Sequence, residues 1–199
     1  MKFIGVFDYT VILTYTSLFS AFFGMVQAQK GHYTFAILCL LLSGLCDAFD
    51  GIVARSKKDR TEDEKAFGIQ LDSLCDAVSF GVFPAYLCYH MGVSSVFGIV
   101  VLCAFCMCGI SRLAFFNVIE GKRQRAEAGA NKAYRGLPIT TSSIILPIYY
   151  LLRFILRDNL FIAILHVVLI LTAFLFVLDF TVPKYDLKKL LVKAKIMKD

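Results

Sequence analysis

The sequence predicts an all-α integral membrane protein with six transmembrane helices, and three observations predict it. Of 199 residues, 58% are hydrophobic and only 18% charged, against about 45–50% and about 25% in soluble domains. The apolar residues fall in runs close to the roughly 20 residues that cross a bilayer as a helix, without the alternation of strands. The basic residues gather in alternate connections. This composition excludes a secreted disulfide scaffold, a disordered chain and an ordinary cytosolic enzyme.

The spans follow in order. Residues 9–26 carry no charge, and neither do residues 33–46, whose apolar run continues past two aspartates to Ala54. Residues 77–89 are apolar and need the chain from about Leu71 to reach full length. Residues 93–119 carry only Arg112, and residues 136–152 and 160–178 complete the set. The first span is expected to stay uncleaved, because Asp8 interrupts a signal-like leader and the run exceeds a usual signal core of about 7–15 residues. The polar stretches 56–67 and 120–135 are read as loops. Residues 1–199 are read as a single membrane domain, with 181–199 a basic cytoplasmic tail. Residues 185–197 fit a surface helix on an anionic membrane and a solvated tail equally well.

With both termini cytoplasmic, 18 of the 21 Lys and Arg residues lie on the inner side, and only Lys30, Arg153 and Arg157 lie outside. That asymmetry is the positive-inside pattern of a multi-pass cell-membrane protein. The net charge of +6 is therefore topological. A nucleic-acid partner is excluded, because no basic soluble module is present to bind one. The seven cysteines are read as small apolar side chains. Cys103, Cys106 and Cys108 lie within one apolar helix and fall short of the four ligands of a structural zinc site.

The chemistry lies in the aspartates. Asp47 and Asp50 are three apart and Asp72 and Asp76 four apart, so each pair shares a helix face. Carboxylates inside membrane spans are costly and point to function. Four of them around one point repel each other unless cations neutralise them. Hard divalent ions, Mg²⁺ or Mn²⁺, suit all-oxygen ligands, and a pair of them suits phosphoryl chemistry. Gly51 and Ala54 let a ligand or helix approach the backbone beside Asp50, and Arg55, one turn beyond Gly51, suits a phosphate oxygen.

Asp47-x2-Asp50-Gly51-x2-Ala54-Arg55, followed by Gly68-x3-Asp72-x3-Asp76, resembles the signature of the CDP-alcohol phosphatidyltransferase family. The connection 56–67 is longer than in the commonest form. The stretch 71–85, Arg112–Asn117 and Tyr134–Pro138 resemble the phosphatidylserine synthase branch. The resemblance implies CDP-diacylglycerol as donor, L-serine as acceptor, phosphatidylserine and CMP as products, and an active site at the cytoplasmic side. It implies one Mg²⁺ or Mn²⁺ on Asp47, Asp50 and Asp72, a second on Asp47, Asp72 and Asp76, and Asp76 as general base. It places Gly51, Ala54, Arg55, Gly68, Thr14 and Ser17 against the donor, and it implies a homodimer. Arg112, Lys132 and Arg135 are candidates for the serine carboxylate or a donor phosphate. Other readings are a same-family transferase for glycerol phosphate or inositol phosphate, a membrane prenyltransferase, and an ion transporter. The last two fit less well: a prenyltransferase lacks Gly51-x2-Ala54-Arg55, and a transporter would place its carboxylates at mid-membrane.

Overall fold

A computed structural model describes residues 5, 6, 9–57, 59–125 and 133–183, apart from the side chains of 55, 120, 122–125, 133–135 and 181–183. The helices are α1 (Ile12–Gln29), α2 (Tyr33–Ser56), α3 (Glu62–Asp76), α4 (Phe83–His90), α5 (Val96–Arg125), α6 (Ser142–Tyr150) and α7 (Asp158–Val177). Five helical stretches are long and apolar enough to cross a membrane: Tyr9–Gln29, Tyr33–Ala54, Glu62–His90, Val96–Ile119 and Asp158–Val177. A shorter apolar helical stretch, Ile139–Phe154, is the sixth. The chain is a multi-pass membrane protein.

Two helix ends are closed in the same way. Gly31 (φ +77°) follows α1 and Gly92 (φ +118°) follows α4. Beyond α1, Gly31 N donates to Ala28 O and His32 N to Gln27 O. Beyond α4, Gly92 N donates to Tyr89 O and Val93 N to Cys88 O. This pair of hydrogen bonds satisfies terminal carbonyls and needs a left-handed residue at its centre.

Helix α1 packs on α2 through small residues. Ser17, Ser20, Ala21, Gly24 and Ala28 are buried along one face, as expected where apolar helices gain only by close backbone approach. Ser17 Oγ donates to Ser43 O at 3.2 Å and Ser43 Oγ to Ser17 O at 2.9 Å. Ser20 Oγ donates to Cys39 O at 2.9 Å. Gly24 meets the Phe83 ring of α4, and a Cβ there would overlap Phe83 Cζ.

The third span contains a π-helical segment, Ala77–Val82, between α3 and α4. Pro84 follows it at the start of α4. Lacking an N–H, Pro84 cannot bond the carbonyl four residues back, and that carbonyl, Phe80 O, instead accepts from Ser142 Oγ at 2.9 Å. Gly81 O accepts from Cys106 Sγ at 3.4 Å. Phe80, Phe83, Phe105, Phe161 and Phe176 are fully buried and centre the core, and many other large apolar side chains are exposed, as lipid contact requires. All seven cysteines are free.

Three expectations are corrected. The stretch 56–67 is mostly helical: α2 runs to Ser56 and α3 starts at Glu62. Thr61 and Glu64 form a capping box there, with Glu64 N to Thr61 Oγ1 at 3.2 Å and Thr61 N to Glu64 Oε2 at 2.9 Å. Helix α5 likewise runs on to Arg125. The residues at 181–183 form a strand, β2 (Thr181–Pro183), antiparallel to β1 (Ala133–Arg135). Gly136 N to Phe180 O (2.7 Å) and Leu137 N to Leu175 O (3.2 Å) continue this tie between the approach to α6 and the end of α7. The rest of the expected tail, 184–199, lies outside the described residues.

Gly24→Ala is expected to cost about 1–3 kcal/mol, because the added methyl has no room without moving Phe83. Thermal unfolding in detergent measures this, and an unchanged midpoint would contradict the close approach.

Candidate active site

The aspartates of α2 and α3, two helices that both pack against α1, come together at one point. Asp47, Asp50 and Asp72 each offer an oxygen, and these three oxygens lie within 4.8 Å of one another. Among the described residues this is the group that could hold a metal ion. Asp76, one turn beyond Asp72, lies within hydrogen-bonding reach of Asp47. Asp50 and Asp76 are buried, each 9% exposed.

Neighbouring elements hold these side chains. Thr14 Oγ1, on α1, donates to Asp50 Oδ2 at 3.0 Å. Ser73 Oγ, beside Asp72, donates to Asn117 Oδ1 of α5 at 3.1 Å. Asp72 Oδ1 is buried and has no hydrogen-bond partner. A buried carboxylate oxygen without a donor is costly unless a cation meets it. The donor set is all carboxylate oxygen, so these residues fit a hard divalent ion.

A pocket adjoins the cluster, lined by Thr10, Val11, Thr14, Asp50, Ala54, Arg60, Lys65, Gly68, Ile69 and Asp72. It brings together Thr14, Asp50, Ala54, Gly68 and Asp72 from the sequence reading. Gly51 lies on α2 next to Asp50 but does not line it. Ser17 does not line it either, because its hydroxyl is engaged with Ser43 across the α1–α2 contact. Arg55 lies in the last turn of α2, with its side chain outside the described part. Arg60, Lys65 and Thr10 were not singled out by the sequence, since no spacing rule links the connection to the helices.

A second pocket is lined by Ser111, Arg112, Phe115, Gly136, Phe176, Val177, Leu178 and Asp179. Arg112 is buried at 9% exposure, and its guanidinium carbon lies 5.2 Å from the centre of the Phe116 ring. Asp179 is the residue here that the sequence did not flag, 67 positions away from Arg112 in the chain. Arg135 falls in β1, with its side chain outside the described part, and Lys132 lies outside the described residues.

The chain belongs to the CDP-alcohol phosphatidyltransferase family, which matches residues 9–180. It is 35% identical over 150 residues to a CDP-diacylglycerol–serine O-phosphatidyltransferase of Saccharomyces cerevisiae, covering 71% of this chain and 53% of that one. It is 34% identical over 144 residues to an archaetidylserine synthase of Methanothermobacter thermautotrophicus, covering 72% and 58%. To a CDP-diacylglycerol–serine O-phosphatidyltransferase of Methanocaldococcus jannaschii it is 37% identical over 107 residues, covering 54% and 46%. The chain thus spans about half the length of these relatives. No solved structure matches the chain significantly.

Adding Mg²⁺ or Mn²⁺ is expected to raise the thermal midpoint of the detergent-solubilised protein. The gain is about 2.7 kcal/mol when the ion is at about 100 times its dissociation constant. Asp50→Asn and Asp72→Asn should lose most of that gain, and an equal gain in both variants would contradict a metal at the cluster.

Proposed function

We propose that the chain transfers the phosphatidyl group of CDP-diacylglycerol to the hydroxyl of L-serine, giving phosphatidylserine and CMP by direct displacement. The observation that carries this is the convergence of Asp47, Asp50 and Asp72 beside a pocket containing Thr14, Ala54 and Gly68, with Asp76 one turn beyond Asp72. The family match and the names of the relatives support it.

Asp47, Asp50 and Asp72 would hold one divalent ion, and Asp47, Asp72 and Asp76 a second. Mg²⁺ or Mn²⁺, when bound, supplies positive charge against the diphosphate and the departing CMP. Thr14 orients Asp50 by its hydrogen bond. Gly51 and Ala54 keep the α2 surface low so that the donor can approach, and Arg55 binds a phosphate oxygen. Asp76 takes the proton of the serine hydroxyl. The serine oxygen forms a bond to the lipid-linked phosphorus, and the bond from that phosphorus to the CMP oxygen breaks.

The pocket at Arg112 supports serine as the acceptor. Its cation, Arg112, suits a carboxylate, and its anion, Asp179, suits an ammonium group. A phosphorylated polyol carries extra negative charge and no ammonium, so Asp179 disfavours the glycerol phosphate and inositol phosphate readings. Lys132 and Arg135 are further candidates for the carboxylate. We read residues 1–199 as one domain in the cell membrane, with both termini and the site on the cytoplasmic side, where serine and CMP are soluble. A homodimer is implied by the resemblance.

Purified protein given CDP-diacylglycerol, Mg²⁺ or Mn²⁺ and labelled alcohols is expected to release CMP with serine. Release only with another alcohol would overturn the acceptor, and release with none would overturn the enzyme class. Asp76→Asn should slow turnover by about 10²–10⁴-fold while the protein still binds CDP. A near-normal rate would remove Asp76 as the base.

Arg112→Ala is expected to raise KM for serine at least tenfold and leave KM for CDP-diacylglycerol unchanged. Steady-state kinetics in each substrate test this, and an unchanged serine KM would remove Arg112 from the acceptor site.

A further inference from the structure

Two cations of the α2–α3 connection line the same pocket as Asp50 and Asp72. Arg60 and Lys65 stand outside the aspartate–glycine signature, between Arg55 and Gly68. Arg60 is built into its place. Its Nη1 donates to Ala54 O at 3.4 Å and its Nη2 to Glu64 O at 3.0 Å. Ala54 lies in the final turns of α2 and Glu64 in the first turn of α3, so the guanidinium is fixed between the two helices that carry the aspartates. The capping box holds the next residue, Thr61. Arg60 Nε is buried without a hydrogen-bond partner. Both of the side chain's hydrogen bonds go to backbone carbonyls, and among the described residues no carboxylate pairs with it.

Gly68 completes the seat. A Cβ at this position would stand 2.5 Å from Arg60 Nη2. The signature glycine therefore has a steric reason in this chain: the guanidinium occupies the volume a side chain would fill. Lys65, ion-paired to Glu62 at 2.7 Å, adds a second, more exposed charge.

We propose that Arg60, assisted by Lys65, recognises the diphosphate of the nucleotide-activated lipid and so sets specificity for the donor. A diphosphate brings further negative charge to a pocket that already contains carboxylates. A planar, permanently charged guanidinium with remaining N–H donors meets phosphate oxygens in a fixed fork. Arg60 keeps its charge without a carboxylate partner, which leaves that charge for an incoming anion. The inference rests on the reading of this pocket as the donor site.

The test is equilibrium binding of CDP, CMP and cytidine to the purified full chain in detergent with Mg²⁺. Arg60→Ala is expected to weaken CDP at least tenfold, CMP less, and cytidine not at all. Arg60→Lys should fall between, Lys65→Ala should cost CDP a few-fold, and Gly68→Ala should reproduce the selective loss by displacing the guanidinium. If Arg60→Ala weakens all three equally, or lowers the thermal midpoint with the CDP-to-cytidine ratio unchanged, Arg60 is only a clasp between α2 and α3 and the proposal fails. If the wild type favours CDP over cytidine through Arg60 yet releases no CMP with any acceptor, the proposal stands and the transferase reading falls. If the wild type does not distinguish CDP from cytidine, the proposal falls whatever the reaction.

Discussion

Like charge in a small apolar volume is the constraint on which this structure turns. Two unit charges about 4 Å apart cost about 4 kcal/mol at an effective dielectric near 20, and whole proteins are stable by only about 5–15 kcal/mol. Three carboxylates with oxygens within 4.8 Å, and a fourth in reach of Asp47, are therefore not sustained by packing alone. The surroundings answer in part: Thr14 donates to Asp50, and Arg60 and Lys65 sit at the pocket. What remains is an oxygen of Asp72 with no donor, which a divalent ion would answer. The same repulsion favours cations over anions at the cluster, and a bound cation would in turn attract phosphate.

The rest of the bundle holds that cluster in register. Asp47 and Asp50 ride on α2, which is fixed to α1 by the reciprocal Ser17–Ser43 hydrogen bonds. Asp72 and Asp76 ride on α3, fixed to α5 by Ser73 and Asn117 and to the end of α2 by Arg60. Small residues in α1 permit close approach, hydroxyls set the longitudinal position, and the charges fall opposite one another. Packing by small residues suits this task because a slip of one residue along a helix, about 1.5 Å, would turn a carboxylate about 100° from the cluster.

Much of this was legible in the chain. Apolar runs define spans because run length and bilayer thickness are directly related, and the aspartate spacing defines a shared face because the helical period is fixed. Ser17 shows the limit. A hydroxyl in an apolar helix is equally suited to a ligand and to a neighbouring backbone carbonyl, and only the packing of α1 on α2 decides for Ser43 O. The start of α3 was written in Thr61-x2-Glu64, a capping box inside a stretch whose polarity reads as loop. Arg60 and Asp179 were not legible, since their placement depends on how the connection folds back and on a contact between segments far apart in sequence. The π-helical segment left only Pro84 as a trace.

That segment bears on how the protein is made. Phe80 lies in the third span, and its carbonyl finds its donor on Ser142, 62 residues later in the chain. In a bilayer an orphaned carbonyl has no water to turn to. The third span thus draws on α6 for a hydrogen bond just past Asp76, and its first turns are the charged residues of Glu62–Lys65. Formation of the bundle is therefore coupled across the chain: the aspartate-bearing third span gains this hydrogen bond only once α6 has docked against it.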